Sequence, residues 1–130
     1  QPAKTAYQNE IVSPVTTNTT DNATTYSAKI GLMYASDYGF AAAPSVWTSN
    51  LDDYNGEAIK NVNWMYMGLY EWTISRDADF ASSVFGVRFT GDVDYGSAAY
   101  AYGVRPVFYL TSSVNYVSGS GSATDPISIN

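Results

Sequence analysis

The sequence contains no cysteine and no histidine. That excludes Cys/His zinc sites, thiol nucleophiles and histidine-based triads, and neither a metal ion nor a cofactor is expected. Positive charge is scarce: six Lys and Arg stand against twelve Asp and Glu, for a net charge of −6. An anionic nucleic-acid backbone or lipid surface would repel such a chain, and its scattered basic residues form no stripe. No apolar run reaches the roughly 18 residues that would span a bilayer, and no basic-then-apolar leader opens the chain. Gln1 is not an initiator residue, so the expectation is a processed chain, attached through a missing N-terminal segment. No phosphate-cradling Gly-rich loop is present, because the Ser-Gly tail lacks a strand–loop–helix context.

What is abundant is tyrosine, twelve residues of it, beside ten glycines and many Ser, Asn and Asp. Tyr brings large amphipathic area at low entropy cost, and small polar residues adapt around it, the palette of a recognition surface. The same tyrosines could equally fill a β-rich core. At 45% hydrophobic residues, 130 residues are enough for one domain with a core of its own.

Residues 1–28 are polar and Thr-rich and read as an N-terminal arm or linker, with Asn18 and Asn22 each in an Asn-X-Thr sequon. Residues 29–130 then form the folded domain. Lys29 to Tyr34 reads as a short buried strand, and Ser36-Asp37 as a cap before a helix over Tyr38 to Ala43 that Pro44 ends. Ser45 to Asn63 reads as a long irregular loop pinned by Trp47, Leu51 and Ile59. Beyond it, Tyr70, Trp72 and Ile74 alternate with Glu71, Thr73 and Ser75, the period-two pattern of a half-buried strand. Ser83 to Thr90 alternates again, with Phe85, Val87 and Phe89 on one face. Gly103 to Leu110 makes a third strand, in which Pro106 demands an edge, a bulge or a strand end. Ser118 to Ser122 is a turn before a short closing segment, Pro126 to Ile129.

Three acidic groupings could carry chemistry. Asp52-Asp53 with Asn55 offers oxygen ligands but lacks the spacing of a calcium loop, so a solvated turn is the better reading. Asp77 with Asp79, and Asp92 with Asp94, are i, i+2 pairs that could do acid–base work on a glycoside, although Asp is equally at home in loop tips. The informative stretch is Thr90 to Tyr102, soft, polar and aromatic, lying between two strands; Arg76 to Ser82 has the same character. Two adaptable segments on a rigid β scaffold are how loop-borne recognition sites are usually built. The candidate ligand-binding residues are therefore Arg76, Asp77, Asp79, Phe80, Arg88, Thr90, Asp92, Asp94, Tyr95, Tyr100 and Tyr102, with no catalytic residue among them. Tyr95, Tyr100 and Tyr102 would supply contact area, and the charged residues electrostatic selectivity.

The run Asn63 to Arg76, then Val84-Phe85 and Val87, then Gly103-Val104-Arg105-Pro106-Val107, resembles a C-type-lectin-like module. Its style is that of bacterial and phage domains sharing the fold of formylglycine-generating enzymes. The resemblance covers roughly Lys29 to Leu110 and implies an α+β fold with short helices, a long irregular loop and a small antiparallel sheet. Part of that family is diversified by retroelements that mutate template adenines, turning Asn codons into codons for Tyr, Asp, Ser, Gly and Ala. The segments 77–82 and 92–102 draw on that set almost throughout. The resemblance thus implies a non-catalytic domain on a bacterial cell surface or in the extracellular space, or alternatively on a phage particle. Its partner would be a protein or glycan ligand, held on a hypervariable Tyr-rich surface framed by Trp72, Ser75, Phe85, Gly103, Arg105 and Pro106. The Glu-Pro-Asn sugar-binding calcium motif, the fold's disulfides and the catalytic cysteine pair are all missing. The alternatives are a structural pilus or phage-fibre subunit and an Asp-dependent glycoside hydrolase.

Overall fold

The computed structural model describes residues 1–12, 27–122 and 124–130; the Thr-rich stretch with Asn18 and Asn22 lies outside the described residues. Within them the chain is α+β, with short helices and three small antiparallel sheets.

The first twelve residues do not behave as an arm. Pro2, in extended conformation, precedes helix α1 (Ala3–Tyr7), which continues into one wide turn over Gln8–Val12. Ala3 and Ala6, one turn apart, are fully buried against helix α2 (Ala35–Phe40). The approach is close because Gly39 has no side chain: a Cβ there would fall 2.6 Å from the Cβ of Ala3. The Leu51 amide also donates to the Gln1 carbonyl at 2.9 Å. Residues 1–12 and the body from residue 29 onward therefore share one packed unit. Two small apolar residues in a polar stretch make a helix face that average composition hides.

Helix α2 starts earlier than its sequence cap implies. Asp37 sits in its first turn and accepts the Tyr34 amide at 2.8 Å, so it reaches back to close the helix start rather than beginning it. The irregular stretch 45–63 contains single turns at Pro44–Val46 and Leu51–Asp53 and a short helix, α3 (Glu57–Lys60). Leu51 and Ile59 pack on the core as expected, and Trp47 donates to the Ala42 carbonyl at 2.8 Å. Tyr54, also from this stretch, is fully buried, with its hydroxyl 3.3 Å from the Gly39 carbonyl. Tyr38 is its core counterpart, donating to the Gly91 carbonyl at 2.8 Å. Among the described residues, two tyrosines are thus core residues.

The main sheet has the order β2 (Glu71–Arg76), β3 (Ser83–Val87), β4 (Val93–Ser97), all antiparallel. A tight connection through Gly91, at φ +102°, joins β3 to β4, so strand structure reclaims Val93 to Ser97 from the expected loop 90–102. In β2 the buried half of the alternation is the polar one. Glu71, Thr73 and Ser75 point inward, whereas Trp72, Ile74 and Arg76 face out. Burial of three polar side chains is tolerated because each is partnered. Arg105 binds both carboxylate oxygens of Glu71, at 3.1 and 2.7 Å, and Thr73 donates to the Phe85 carbonyl at 2.7 Å. Ser75 accepts the Ala35 amide at 2.9 Å and donates to Glu10 at 2.5 Å, tying the N-terminal turn to the sheet. A bulge sets the residues Trp72 to Arg76 opposite Gly86 to Val84, and the Ile74 amide turns to the Met33 carbonyl at 2.8 Å.

The expected third strand, Gly103 to Leu110, is mostly not a strand. Gly103 makes one parallel bridge to Glu71, and only β5 (Pro106–Val107) pairs, with β1 (Gly31–Leu32). Pro106 sits in a two-stranded edge, where its missing N–H costs nothing. The chain ends in a separate hairpin of β6 (Tyr116–Ser118) and β7 (Ser128–Ile129). No helix among the described residues is long and apolar enough to cross a membrane.

Candidate functional site

The polar residues of β2 take the inside, so its aromatics are displaced outward. Trp72, Gly86 and Asp94 form one row across the three strands, with bare backbone at the centre. A Cβ at Gly86 would come within 3.5 Å of the Trp72 and Tyr102 rings, and one at Gly96 within 3.5 Å of Tyr100 and Tyr102. Aromatic rings lie over these two glycines because nothing stands between them and the strand.

The result is a continuous ring shelf. The Tyr102 ring stacks on Trp72 at 4.3 Å between centroids and 26° between planes, and on Tyr70 at 4.8 Å and 30°. Tyr100 adjoins Tyr102 at 5.9 Å, and Phe89 adjoins Tyr70 at 5.4 Å. Such offset stacking holds each ring in a fixed orientation. Tyr100 remains 58% exposed and Phe89 52%. Beneath the shelf, the Trp72 amide donates to the Gly103 carbonyl at 2.9 Å, and the Gly103 amide to the Tyr70 carbonyl at 2.8 Å. The segment carrying Tyr100 and Tyr102 is thereby fixed to β2. Arg105, held by Glu71 and by the Met65 carbonyl at 2.7 Å, anchors the same junction.

A charged group borders the row. Arg88 pairs with Asp94 and lies 3.6 Å from Asp92, which also accepts from the Thr90 hydroxyl. Asp92 is buried, so it and Thr90 brace the β3–β4 turn, whereas Arg88 and Asp94 remain partly accessible. The expected ligand role of Thr90 and Asp92 thus falls on side chains spent within the turn.

The second candidate segment meets the first through different atoms. Asp77 accepts the Asp79 amide at 2.9 Å, a self-closed turn after β2. The Ala98 amide donates to the Ser82 carbonyl at 2.9 Å, and Phe80 lies nearly parallel to Tyr95 at 6.1 Å. Tyr95 also meets Phe85 edge-on at 6.5 Å. Strand alternation separates Tyr95 from Gly96 and its covering rings, so the three tyrosines divide. Tyr100 and Tyr102 join the shelf; Tyr95 joins Phe80. Arg76 ends β2 on the outward side.

No family model matches the chain, and no curated protein or solved structure matches it either.

Sequence reasoning placed Trp72 in the framework and passed over Tyr70, Phe89, Gly86 and Gly96 as contact residues. The signal lay in β2, where a Glu alternating with aromatics in a strand offers two opposite burial choices. Among the described residues there is no group of three or more acidic side chains able to hold a metal ion. What the arrangement offers chemically is a fixed stack of aromatic rings, with Tyr100 and Phe89 the more exposed of them, and one carboxylate–guanidinium pair beside it.

Proposed function

We propose that the protein is a non-catalytic binding domain of the C-type-lectin-like class, displayed at a bacterial cell surface or on a phage particle. It takes a protein or glycan ligand on the shelf of Tyr70, Trp72, Tyr100 and Tyr102. The observation that carries this reading is the stack of rings lying over Gly86 and Gly96. A domain that only needed a core would turn Trp72 inward and Glu71 outward. Here a buried ion pair is maintained on the inner side while the rings stay at the surface. Rigid aromatics carry disproportionate binding energy because they lose little entropy on contact. The composition of 77–82 and 92–102 fits diversification by a retroelement around that platform.

The direct test is a screen of arrayed glycans and host-surface proteins with the wild type and Tyr100→Ala/Tyr102→Ala. Loss of the selected ligand by the double variant, with an unchanged melting temperature, supports the site; full retention refutes it. Diversification is tested separately by sequencing the locus across isolates. Differences no denser in 76–82 and 90–102 than elsewhere would end that part of the proposal.

A further inference from the structure

The chain has no cysteine, so tyrosine and tryptophan are its readiest one-electron donors, and the ring shelf gathers them. Strand alternation sends Tyr70 and Trp72 to one side of Glu71, and Gly103 pairs with Glu71 between them. The preceding residue, Tyr102, therefore lays its ring against both, 4.8 Å from the Tyr70 centroid and 4.3 Å from that of Trp72. The Gly103 amide donates to the Tyr70 carbonyl at 2.8 Å, and the Trp72 amide to the Gly103 carbonyl at 2.9 Å. Two tyrosines 32 positions apart in sequence are thus held side by side by their own backbones.

Three pairs of tyrosine rings adjoin one another among the described residues, and they differ in what oxidation could do to them. A phenol gives up an electron readily only when its proton leaves with it. Tyr38 and Tyr54, 6.3 Å apart, are both fully buried, and their hydroxyls donate to the Gly91 and Gly39 carbonyls, which do not take a proton. That pair is closed to oxidant and proton acceptor alike. Tyr100 and Tyr102 are 5.9 Å apart, farther than Tyr70 and Tyr102. Tyr70 is 38% exposed, so solvent reaches it, and exposed Tyr100 offers a second entry from which a radical passes inward to Tyr102.

We infer that Tyr70 and Tyr102 form an oxidative cross-linking site, joined as dityrosine by a peroxide-driven one-electron oxidant of the haem-peroxidase class. Each phenol loses one electron and one proton and becomes a phenoxyl radical. The two radicals combine through ring carbons next to the oxygen-bearing carbons, forming one carbon–carbon bond. The hydrogens on those carbons then move to the oxygens, which restores both phenols. Two electrons and two protons leave in all, and they reduce one hydrogen peroxide to two waters. One ring has to roll out of the stack to bring the two carbons together, a side-chain rotation that the backbone bonds at Gly103 do not oppose. The new bond would fasten the segment carrying Tyr100 and Tyr102 covalently to the start of β2. Like a disulfide, it would close a loop and so restrict the unfolded chain. The inference needs no ligand on the shelf and stands independently of the one proposed for it.

The test treats the full chain, dilute enough to disfavour coupling between molecules, with a haem peroxidase and hydrogen peroxide. The monomer is then isolated under denaturing conditions and read by dityrosine fluorescence and mass spectrometry. Wild type is expected to fluoresce, to lose two hydrogens, and to melt at a higher temperature than the untreated protein. Trypsin cuts after Lys60, Arg76 and Arg88 and is blocked at Arg105 by Pro106, so residues 61–76 should emerge joined to 89–130. Fragment masses should place the bond between Tyr70 and Tyr102. The monomer's fluorescence and its rise in melting temperature should be lost in Tyr70→Phe and, separately, in Tyr102→Phe, both of which keep the ring and its stacking. Tyr38→Phe and Tyr100→Phe should retain the cross-link. A wild-type monomer without an internal cross-link overturns the inference. So does a bond mapped to any other pair of tyrosines, or one that survives in Tyr70→Phe.

Discussion

At the scale of single residues, two glycines in the same sheet do different work. A Cβ at Gly86 would sit 2.9 Å from the Glu71 carbonyl oxygen, which is backbone and cannot move aside. Gly86→Ala is therefore expected to destabilise by about 1–3 kcal/mol, read as a lower urea midpoint. A Cβ at Gly96 would meet only tyrosine side chains, the Tyr102 hydroxyl at 3.4 Å and the Tyr100 ring at 3.5 Å. Gly96→Ala should leave stability within about 0.5 kcal/mol of wild type, because those distances are ordinary van der Waals contact and nothing has to move. The Glu71–Arg105 pair makes a sharper case. Glu71 is almost wholly buried, and its two charge-assisted bonds compensate the lost hydration. Arg105→Met leaves that carboxylate unpaired and should cost about 3–5 kcal/mol in chemical denaturation. A much smaller loss would mean that water reaches Glu71.

At the scale of elements, the N-terminal helix is an integral part of the body. Its contact with α2 depends on small residues on both sides: Ala3 and Ala6 opposite Gly39. Ala3→Asp puts a carboxylate where the structure has no room and no partner, and should lower stability by about 3 kcal/mol, seen as a clear fall in melting temperature. If residues 1–12 were a dispensable arm, the same substitution would leave the melt unchanged. The strand β2 shows the converse relation between sequence and element. Its alternation identified a strand correctly, but the facing depended on partners far away in sequence, Arg105, Glu10 and Ala35.

At the scale of the whole molecule, the core is small and includes two tyrosines, which makes stability sensitive to alkali. Burial pushes the Tyr38 phenol well above its ordinary value, and the charge of nearby Tyr66 and Glu71 adds to this while Arg105 opposes it. Burial raises Tyr54 in the same direction. Both phenols stay protonated in the folded protein at pH values where the unfolded chain has already lost its protons. The unfolded state is therefore favoured as pH rises past the ordinary phenol value of about 10, and stability from these groups is intact below it. Melting temperature should fall steeply above about pH 10. In Tyr38→Phe the fall should be shallower, from a lower starting point because the bond to the Gly91 carbonyl is gone. Equal slopes in the two proteins would mean that Tyr38 ionises freely when folded.

The sequence by itself determined the chemistry that is impossible here, the scarcity of basic surface, the existence and approximate place of β2 and β3, and that Pro106 must sit at an edge, a bulge or a strand end. These follow from residue type and local period, which act over a few positions. It also brought attention to Tyr100 and Tyr102, and to Arg88 and Asp94. Only the tertiary structure decided which face of β2 turns inward, because a period of two is satisfied equally by burying aromatics or by burying a partnered Glu71, Thr73 and Ser75. It likewise decided that Val93 to Ser97 is strand, that Asp92 and Thr90 brace a turn, and that Tyr95 parts company with Tyr100 and Tyr102. Each of those outcomes depends on a contact between residues on different strands or across a tight turn, such as Trp72 with Tyr102 or Arg88 with Asp94. Local pattern cannot encode such contacts, since they exist only once the chain has closed on itself.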